Sequence, residues 1–350
     1  MRDFNYRKLK DVKWSSEIVN YIAQIRQLQG KQEQFLKQKP AELDKLVEIA
    51  KIQSTEASNA IEGIRTTNTR LKQLVEQRTS PKNRDEEEIA GYRDVLNLIH
   101  ESYEYISITP NIILQLHQTL YSHNTKNIGI GGKFKSVQNY ISATDENGNT
   151  ITLFTPLAPH ETPNAIENIC ATFNESIAYG EVDPLILIPI FIHDFLCVHP
   201  FLDGNGRMSR LLTTLLLYRC GFYVGKYISL EAKIAKYKDL YYEALANSQE
   251  GWHEGKDDAT PFMKYLLMTI LSAYKDFEER VDIVSDKSSA MDMVRLAIQK
   301  KIGKFTKAEI MELCPTLSES AINKSLKILK ENGEIQTHGT GKSTFYNRIM

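Results

Sequence analysis

The stretch VHPFLDGNGRMSRLLTTLLLYRCG, Val198 to Gly221, sets two arginines just behind a Gly-Asn-Gly turn and then runs into an apolar helix. Met208, Leu211, Leu212, Leu215 and Leu216 follow the i, i+3, i+4, i+7, i+8 spacing of a buried helical stripe, and Gly221 is placed to end it. The spacing predicts a helix that starts near Gly206. Arg207 and Arg210 then lie in its first turn, where the macrodipole is already positive and an uncompensated cation costs about 0.3–1 kcal/mol. An anion in front of the helix reverses that sign. Gly204 and Gly206 open backbone conformations closed to other residues, so the N–H groups around Asn205 can form an anion nest continuous with the helix N-terminus. The stretch reads as a cradle for a polyphosphate.

Two neighbours of the cradle add chemistry. Asp203 offers carboxylate oxygens at the edge of a phosphate site, where Mg²⁺ takes one or two carboxylates together with phosphate oxygens and water. His199 titrates near neutral pH and is suited to take a proton from an incoming hydroxyl. Each residue alone has an ordinary structural reading: a capping histidine, an Asp-Asn turn, arginines paired with distant acids. Base, metal ligand and anion clamp within one dodecapeptide are harder to explain that way.

The rest of the chain is that of a globular protein of about two domains: 350 residues, 42% hydrophobic and 25% charged. No apolar run approaches the roughly 18 residues of a membrane span and the N-terminus has no signal-like apolar core, so a cytoplasmic location without membrane association is expected. Cys170, Cys197, Cys220 and Cys314 form no CxxC pair and read as core thiols rather than a disulfide or zinc framework. A net charge of -1 gives no global attraction to nucleic acid, leaving only local patches.

Apolar spacing with Pro, Asp or Ser starts predicts helices over 16–36, 41–61, 86–105, 110–122, 163–178, 185–198, 206–220, 232–248 and 261–284. Pro189 is expected to kink or restart the helix that contains it. The exception to the helical pattern is 131–156, where β-branched and aromatic residues flank Asn147-Gly148, the signal of a β-hairpin flap from Phe134 to Phe154. His193 stands six positions before His199, not four, so a His-His metal site is not expected and His193 reads as core or as support for the site. Tyr237, Tyr241 and Tyr242 suit either a core or stacking on a base.

HPFLDGNGRMSR, His199 to Arg210, resembles the Fic domain signature HxFx(D/E)GNGRxxR at every defined position. The resemblance implies a mainly α, helical Fic fold with a β-hairpin flap, and transfer of AMP from ATP to a Ser, Thr or Tyr hydroxyl of a protein, itself included among the candidate targets. It implies His199 as general base, Asp203 as Mg²⁺ ligand, Gly204, Asn205 and Gly206 as phosphate-holding backbone, and Arg207 and Arg210 as polyphosphate contacts. Phe201 is the motif aromatic, expected to be buried. The flap, with Phe134, Lys135, Ser136 and Val137 at its start, resembles the family's target-binding hairpin, except that Lys135 stands where related flaps often carry arginine. Far upstream, STEASNAIEGIR resembles an inhibitory motif of the family in Ser58, Glu62 and Gly63; the resemblance implies that Glu62 pairs with Arg210 and obstructs the place of the γ-phosphate.

The C-terminal segment reads separately. A polar break at 285–290 precedes a Thr306/Glu309 capping-box pattern, a Ser318 helix start and two strands around a glycine turn, which suggests a small winged helix-turn-helix. Ten Lys/Arg against six Asp/Glu give 290–350 a net charge of +4, with Lys324, Lys327 and Lys330 on the candidate recognition helix. That permits DNA binding without requiring it. The expected division is a helical region over 1–105 carrying the inhibitory helix, a catalytic core with flap over 106–284 and the winged module over 285–350. A DNA-binding regulator whose Fic-like part senses nucleotide is the competing reading; another donor nucleotide, removal of AMP, and homo-oligomer formation stay open.

Overall fold

The structure is a computed structural model that describes residues 3–38, 40–124, 129–144, 148–283, 289–301 and 303–349. Helices α1 (Ser16–Gln38), α2 (Pro40–Ile61), α3 (Asn68–Val75), α4 (Arg84–Ser102) and α5 (Pro110–Leu120) precede a hairpin of β1 (Ile141–Thr144) and β2 (Thr150–Phe154). Then come α6 (Thr162–Tyr179), α7 (Pro184–Val198), α8 (Asn205–Arg219), α9 (Leu230–Lys236), α10 (Lys238–Gln249) and α11 (Thr260–Ile283). One continuous apolar cluster runs from Phe4 to Val281, while Leu71, Leu74 and Val75 of α3 gather with Ile89 in a small separate one.

The helix α8 is its axis. The stripe Met208, Leu211, Leu212, Leu215 and Leu216 is fully buried as its spacing demands, but so are Leu217, Tyr218, Ser209 and Thr214. α7, α4 and α2 all pack on it, so a helix that looks one-sided in sequence is covered all round. Gly221, in the left-handed region at φ 84°, follows its last turn.

Several expectations change. α7 runs unbroken through Pro189, with Asp183 capping Leu185 N–H and Pro184 opening its first turn. Pro189 removes one N–H from the ladder, yet the helix does not restart there, and the side chains around it are buried on every side. The single helix expected over 232–248 is two, broken at Tyr237, because α9 packs on α2 while α10 packs on α11. The short α3 has only Leu71, Leu74 and Val75 as apolar anchors, too few to show a period in sequence. The flap is shorter than expected: strands pair over 141–144 and 150–154, and 134–140 is irregular because its polar groups bond the motif loop instead of a second strand. Asn147, the first residue of the expected turn, and most of the polar break at 285–290 lie outside the described residues.

After the break, α12 (Ala290–Gln299), β3 (Lys304–Phe305), α13 (Lys307–Leu313), α14 (Glu319–Glu331), β4 (Ile335–His338) and β5 (Phe345–Arg348) gather a second cluster around Val294, Phe305, Ile310, Ile322 and Ile335. The strands form an antiparallel sheet in the order β3-β5-β4. Thr306 and Glu309 form the anticipated capping box, and Ser318 caps α14. No helix among the described residues is long and apolar enough to cross a membrane.

Candidate active site

The loop between α7 and α8 is bounded by two left-handed residues, His199 at φ 50° and Gly204 at φ 83°. For histidine that conformation costs about 1 kcal/mol, and it holds only because the surroundings determine it. Asn205 closes the loop on itself, accepting from Phe201 N–H at 2.9 Å and donating to Phe201 carbonyl at 2.7 Å. Phe201 is fully buried and stacks on the His117 ring, centroids 3.6 Å apart. Gly132 N–H donates to His117 Nδ1, so the proton sits on Nε2 and bonds the Asp203 carbonyl at 3.1 Å. Burial pushes the His117 pKa down to about 4 and keeps the ring neutral. Asn139 adds a bond to the Phe201 carbonyl at 2.9 Å. Neither His117 nor Asn139 announces this support in sequence, being 86 and 62 residues from its partner.

His199 is half-buried, with Nδ1 3.2 Å from the Leu196 carbonyl. A carbonyl only accepts, so Nδ1 carries the proton and Nε2 presents a lone pair. Burial is the main cause that lowers its pKa to about 4; the Leu196 carbonyl opposes this, the Lys135 ammonium adds to it, and Glu62 and Asp203 oppose it. Lys135 is not at the surface: its Nζ bonds the Val198 carbonyl and Asn139 Oδ1, both at 2.9 Å, and burial lowers its pKa to about 8. The Lys135 charge thus stands behind the motif loop. Phe134 packs beside Phe201, whereas Ser136 and Val137 are exposed.

The two arginines find separate acids. Arg207, 1% exposed, has Nη1 2.8 Å from Glu88 Oε2 of α4 and donates from Nη2 to the Tyr121 hydroxyl at 2.8 Å. Arg210 donates from Nε to Ser58 Oγ at 2.8 Å and from Nη2 to Glu62 Oε1 at 2.7 Å, with the Ser58 carbonyl at 3.0 Å. Burial works against the Arg210 charge, but Glu62 and the nearby Tyr241 and Tyr92 raise its pKa above the ordinary value. A side chain at Gly206 would collide with Glu62 Oε1, so glycine admits the carboxylate to the helix end. Ser58, Glu62 and Arg210 therefore meet; Glu88, the partner of Arg207, carries no signal in sequence beyond being one acid of a charged helix start.

These groups open onto one cavity of about 620 Å³, lined by His199, Asp203, Gly204 to Arg207, Arg210 and Glu62 on one side. Tyr140 to Ala143 and Leu153 of the flap and Lys238, Tyr241 and Tyr242 of α10 close the other. Tyr237 is 52% exposed and lies outside it. Asp203 is half exposed; its Oδ1 accepts from Gly204 N–H at 2.7 Å and its Oδ2 is 4.0 Å from Arg207. The described residues hold no group of three or more His, Cys, Asp or Glu able to bind a metal by themselves. One open carboxylate beside an anion cradle fits Mg²⁺ that arrives with phosphate oxygens. His193 is buried against Cys197 Sγ at 3.6 Å, away from this cavity, and Cys170, Cys197 and Cys314 are buried thiols, with Cys220 half-buried.

The segment 107–217, which holds the whole loop and both arginines, matches the Fic/DOC family. Residues 107–217 form a Fic domain. Among curated proteins the chain is similar to a protein adenylyltransferase Fic of Nematostella vectensis, 27% identical over 221 residues, covering 60% of this chain and 44% of that protein. It is also similar to the protein adenylyltransferase fic-1 of Caenorhabditis elegans, 25% identical over 186 residues, covering 52% of this chain and 32% of that protein. The chain spans less than half the length of these relatives. A crystal structure of a Fic family protein from Desulfovibrio desulfuricans superposes over 97% of both chains with a TM-score of 0.61 at 21% identity. A Fic domain containing signaling protein from Bacteroides thetaiotaomicron gives 0.62 at 22% identity, covering 76% of this chain and 99% of that one. Both establish the Fic fold of the mainly helical chain.

Proposed function

We propose that the Fic domain transfers AMP from ATP to a Ser, Thr or Tyr hydroxyl of a protein, and that Glu62 restrains it. The observation that carries this reading is the convergence of His199, Asp203 and Arg210 on one cavity, with Glu62 seated on Arg210. The adenylyltransferase relatives support AMP as the transferred group.

His199 Nε2, fixed as an acceptor by the Leu196 carbonyl, takes the hydroxyl proton as the oxygen attacks the α-phosphorus and pyrophosphate leaves. The N–H groups at the start of α8, after Gly204 whose own N–H is held by Asp203, and the α8 dipole stabilise the charge on the phosphates. Asp203 would hold Mg²⁺, which supplies charge neutralisation for the leaving pyrophosphate. Arg210 binds the terminal phosphates once Glu62 leaves it. Arg207, tied to Glu88, stiffens the cradle and carries positive potential into it. The hairpin with Phe134 to Val137 at its base presents a strand edge to a target segment.

The domain reading is a helical region over 1–105, a catalytic core over 106–284 and a winged helix-turn-helix over 285–350, the last supported by its element order and its three-stranded sheet. The exposed Lys324, Lys327 and Lys330 on one side of α14 favour an added role in contacting DNA phosphates. Intact-mass analysis of Glu62→Gly after incubation with Mg²⁺ and ATP, UTP, GTP or a choline-bearing nucleotide tests the main reading. An AMP adduct from ATP is the expected result; no adduct from any donor on any candidate protein overturns it.

A further inference from the structure

A side chain of α10 reaches the end of the helix that precedes Glu62. α2 ends at Ile61, and its last carbonyls have no partner inside the helix. The chain then turns sharply: Glu62 and Ile64 N–H both donate to the Asn59 carbonyl at 3.0 Å, and Gly63 N–H to Ala60 at 3.0 Å, with Gly63 at φ 81°. Across this turn, Lys238 Nζ donates to the Ile61 carbonyl at 2.7 Å. An ammonium at a helix C-terminus meets the negative end of the dipole, and a charged donor makes a stronger bond than a neutral one.

Lys238 reaches this carbonyl because the helix break at Tyr237 turns α10 away from α9 and opens α10 with Lys238. The same side chain lines the cavity beside Glu62 and Arg210 and lies over the Tyr242 ring at 5.5 Å. Resting on the reading of Glu62 as the restraint, we infer that Lys238 is a latch: its ammonium holds the Ile61 carbonyl, and thereby Glu62 against Arg210. A triphosphate entering the cavity draws the same ammonium off the carbonyl, because a phosphate oxygen with full negative charge outbids a neutral acceptor for it. Nucleotide entry and release of Glu62 are thus coupled through one side chain. Lys238 thus positions the restraint at rest and touches the triphosphate once the nucleotide has entered.

The test compares Lys238→Met and Lys238→Arg, each with Glu62 present and with Glu62→Gly, in the full chain. Transfer of label from α-labelled ATP should rise on the order of tenfold in Lys238→Met, the loss of one charge-assisted hydrogen bond, and stay near the starting level in Lys238→Arg. In the Glu62→Gly background, where no restraint is left to release, Lys238→Met should bring no further gain at saturating ATP and should raise the KM for ATP, because the phosphate contact is gone. Amide hydrogen exchange at Glu62 to Ile64 without nucleotide should be faster by a similar factor in Lys238→Met, and in the unaltered protein it should speed up on adding a non-hydrolysable ATP analogue. If Glu62→Gly transfers label but Lys238→Met gains nothing, or its gain persists without Glu62, the latch is wrong. If Glu62→Gly transfers nothing, the adenylyl-transfer reading falls and exchange alone decides: unchanged protection in Lys238→Met, or no response to the analogue, overturns the latch.

Discussion

Arg210 Nη2 donates to Glu62 Oε1 across 2.7 Å, joining the first turn of α8 to the residue just past the end of α2. The guanidinium is 3% exposed while the carboxylate is 33% exposed, so the arginine depends on the pair more than the glutamate does. Removing one partner of a buried pair leaves the other uncompensated. Glu62→Gly is therefore expected to lower stability by on the order of 1 kcal/mol, discounted for the exposure of Glu62 and the remaining Ser58 bonds. Tripolyphosphate should restore the loss and should stabilise Glu62→Gly more than the unaltered protein. Thermal unfolding with and without the anion checks this; equal stabilisation of the two would contradict it.

His199→Ala should lower transfer by about 10²–10⁴ while nucleotide binding persists, since the base acts only on the hydroxyl proton. Its pKa of about 4 gives the pH dependence: the imidazole is neutral and competent above that value and is lost as pH falls through it. In Glu62→Gly the acid limb of kcat/KM should lie well below the 6.5 of an ordinary histidine. A limb at 6.5, or an active His199→Ala, removes His199 as the base.

His117 makes a prediction about stability. Its pKa is lowered in the fold to about 4 by burial, from about 6.5 when unfolded. The unfolded chain then binds the extra proton first, so the stability it contributes is complete above 6.5 and is lost as pH falls towards 4. The loss is on the order of 3 kcal/mol. Urea unfolding between these pH values should show that slope, and His117→Gln should flatten it; an unchanged slope would mean that the motif loop does not rest on a neutral His117.

Asp203→Ala should reduce transfer, and excess Mg²⁺ should recover only part of it, because one carboxylate leaves the ion with phosphate and water alone. The readout is the Mg²⁺ concentration for half-maximal transfer in the Glu62→Gly background, expected to rise several-fold. No change in it would take the metal away from Asp203.

The sequence made the site legible where function packs chemistry into a short run. His199 to Arg210 could be placed on a loop and helix start because the glycines, the dipole and the leucine spacing agree. The Ser58/Glu62 contact with Arg210 was legible through the resemblance alone, since nothing local links residues 148 apart. What stayed hidden was long-range: Glu88 under Arg207, His117 under Phe201, and Lys238 on Ile61. Each is a common residue whose partner is fixed only by packing. The corner at Tyr237 was missed for the same reason, as no Gly or Pro marks it and the split follows from two helices choosing different partners. The burial of Lys135 was equally hidden, because a bend without strand pairing turns it towards Val198.

The central claim is that one arginine is shared between an internal carboxylate and the nucleotide, so the most direct measurement is label incorporation from α-labelled ATP by the unaltered protein, Glu62→Gly, and Glu62→Gly with Arg210→Ala. At matched protein and Mg²⁺, incorporation should rise in Glu62→Gly, because ATP can then set its terminal phosphate against Arg210 and its α-phosphate beside His199. It should fall again when Arg210 is removed. Incorporation by folded Glu62→Gly no greater than by the unaltered protein, across several candidate targets, would contradict the account.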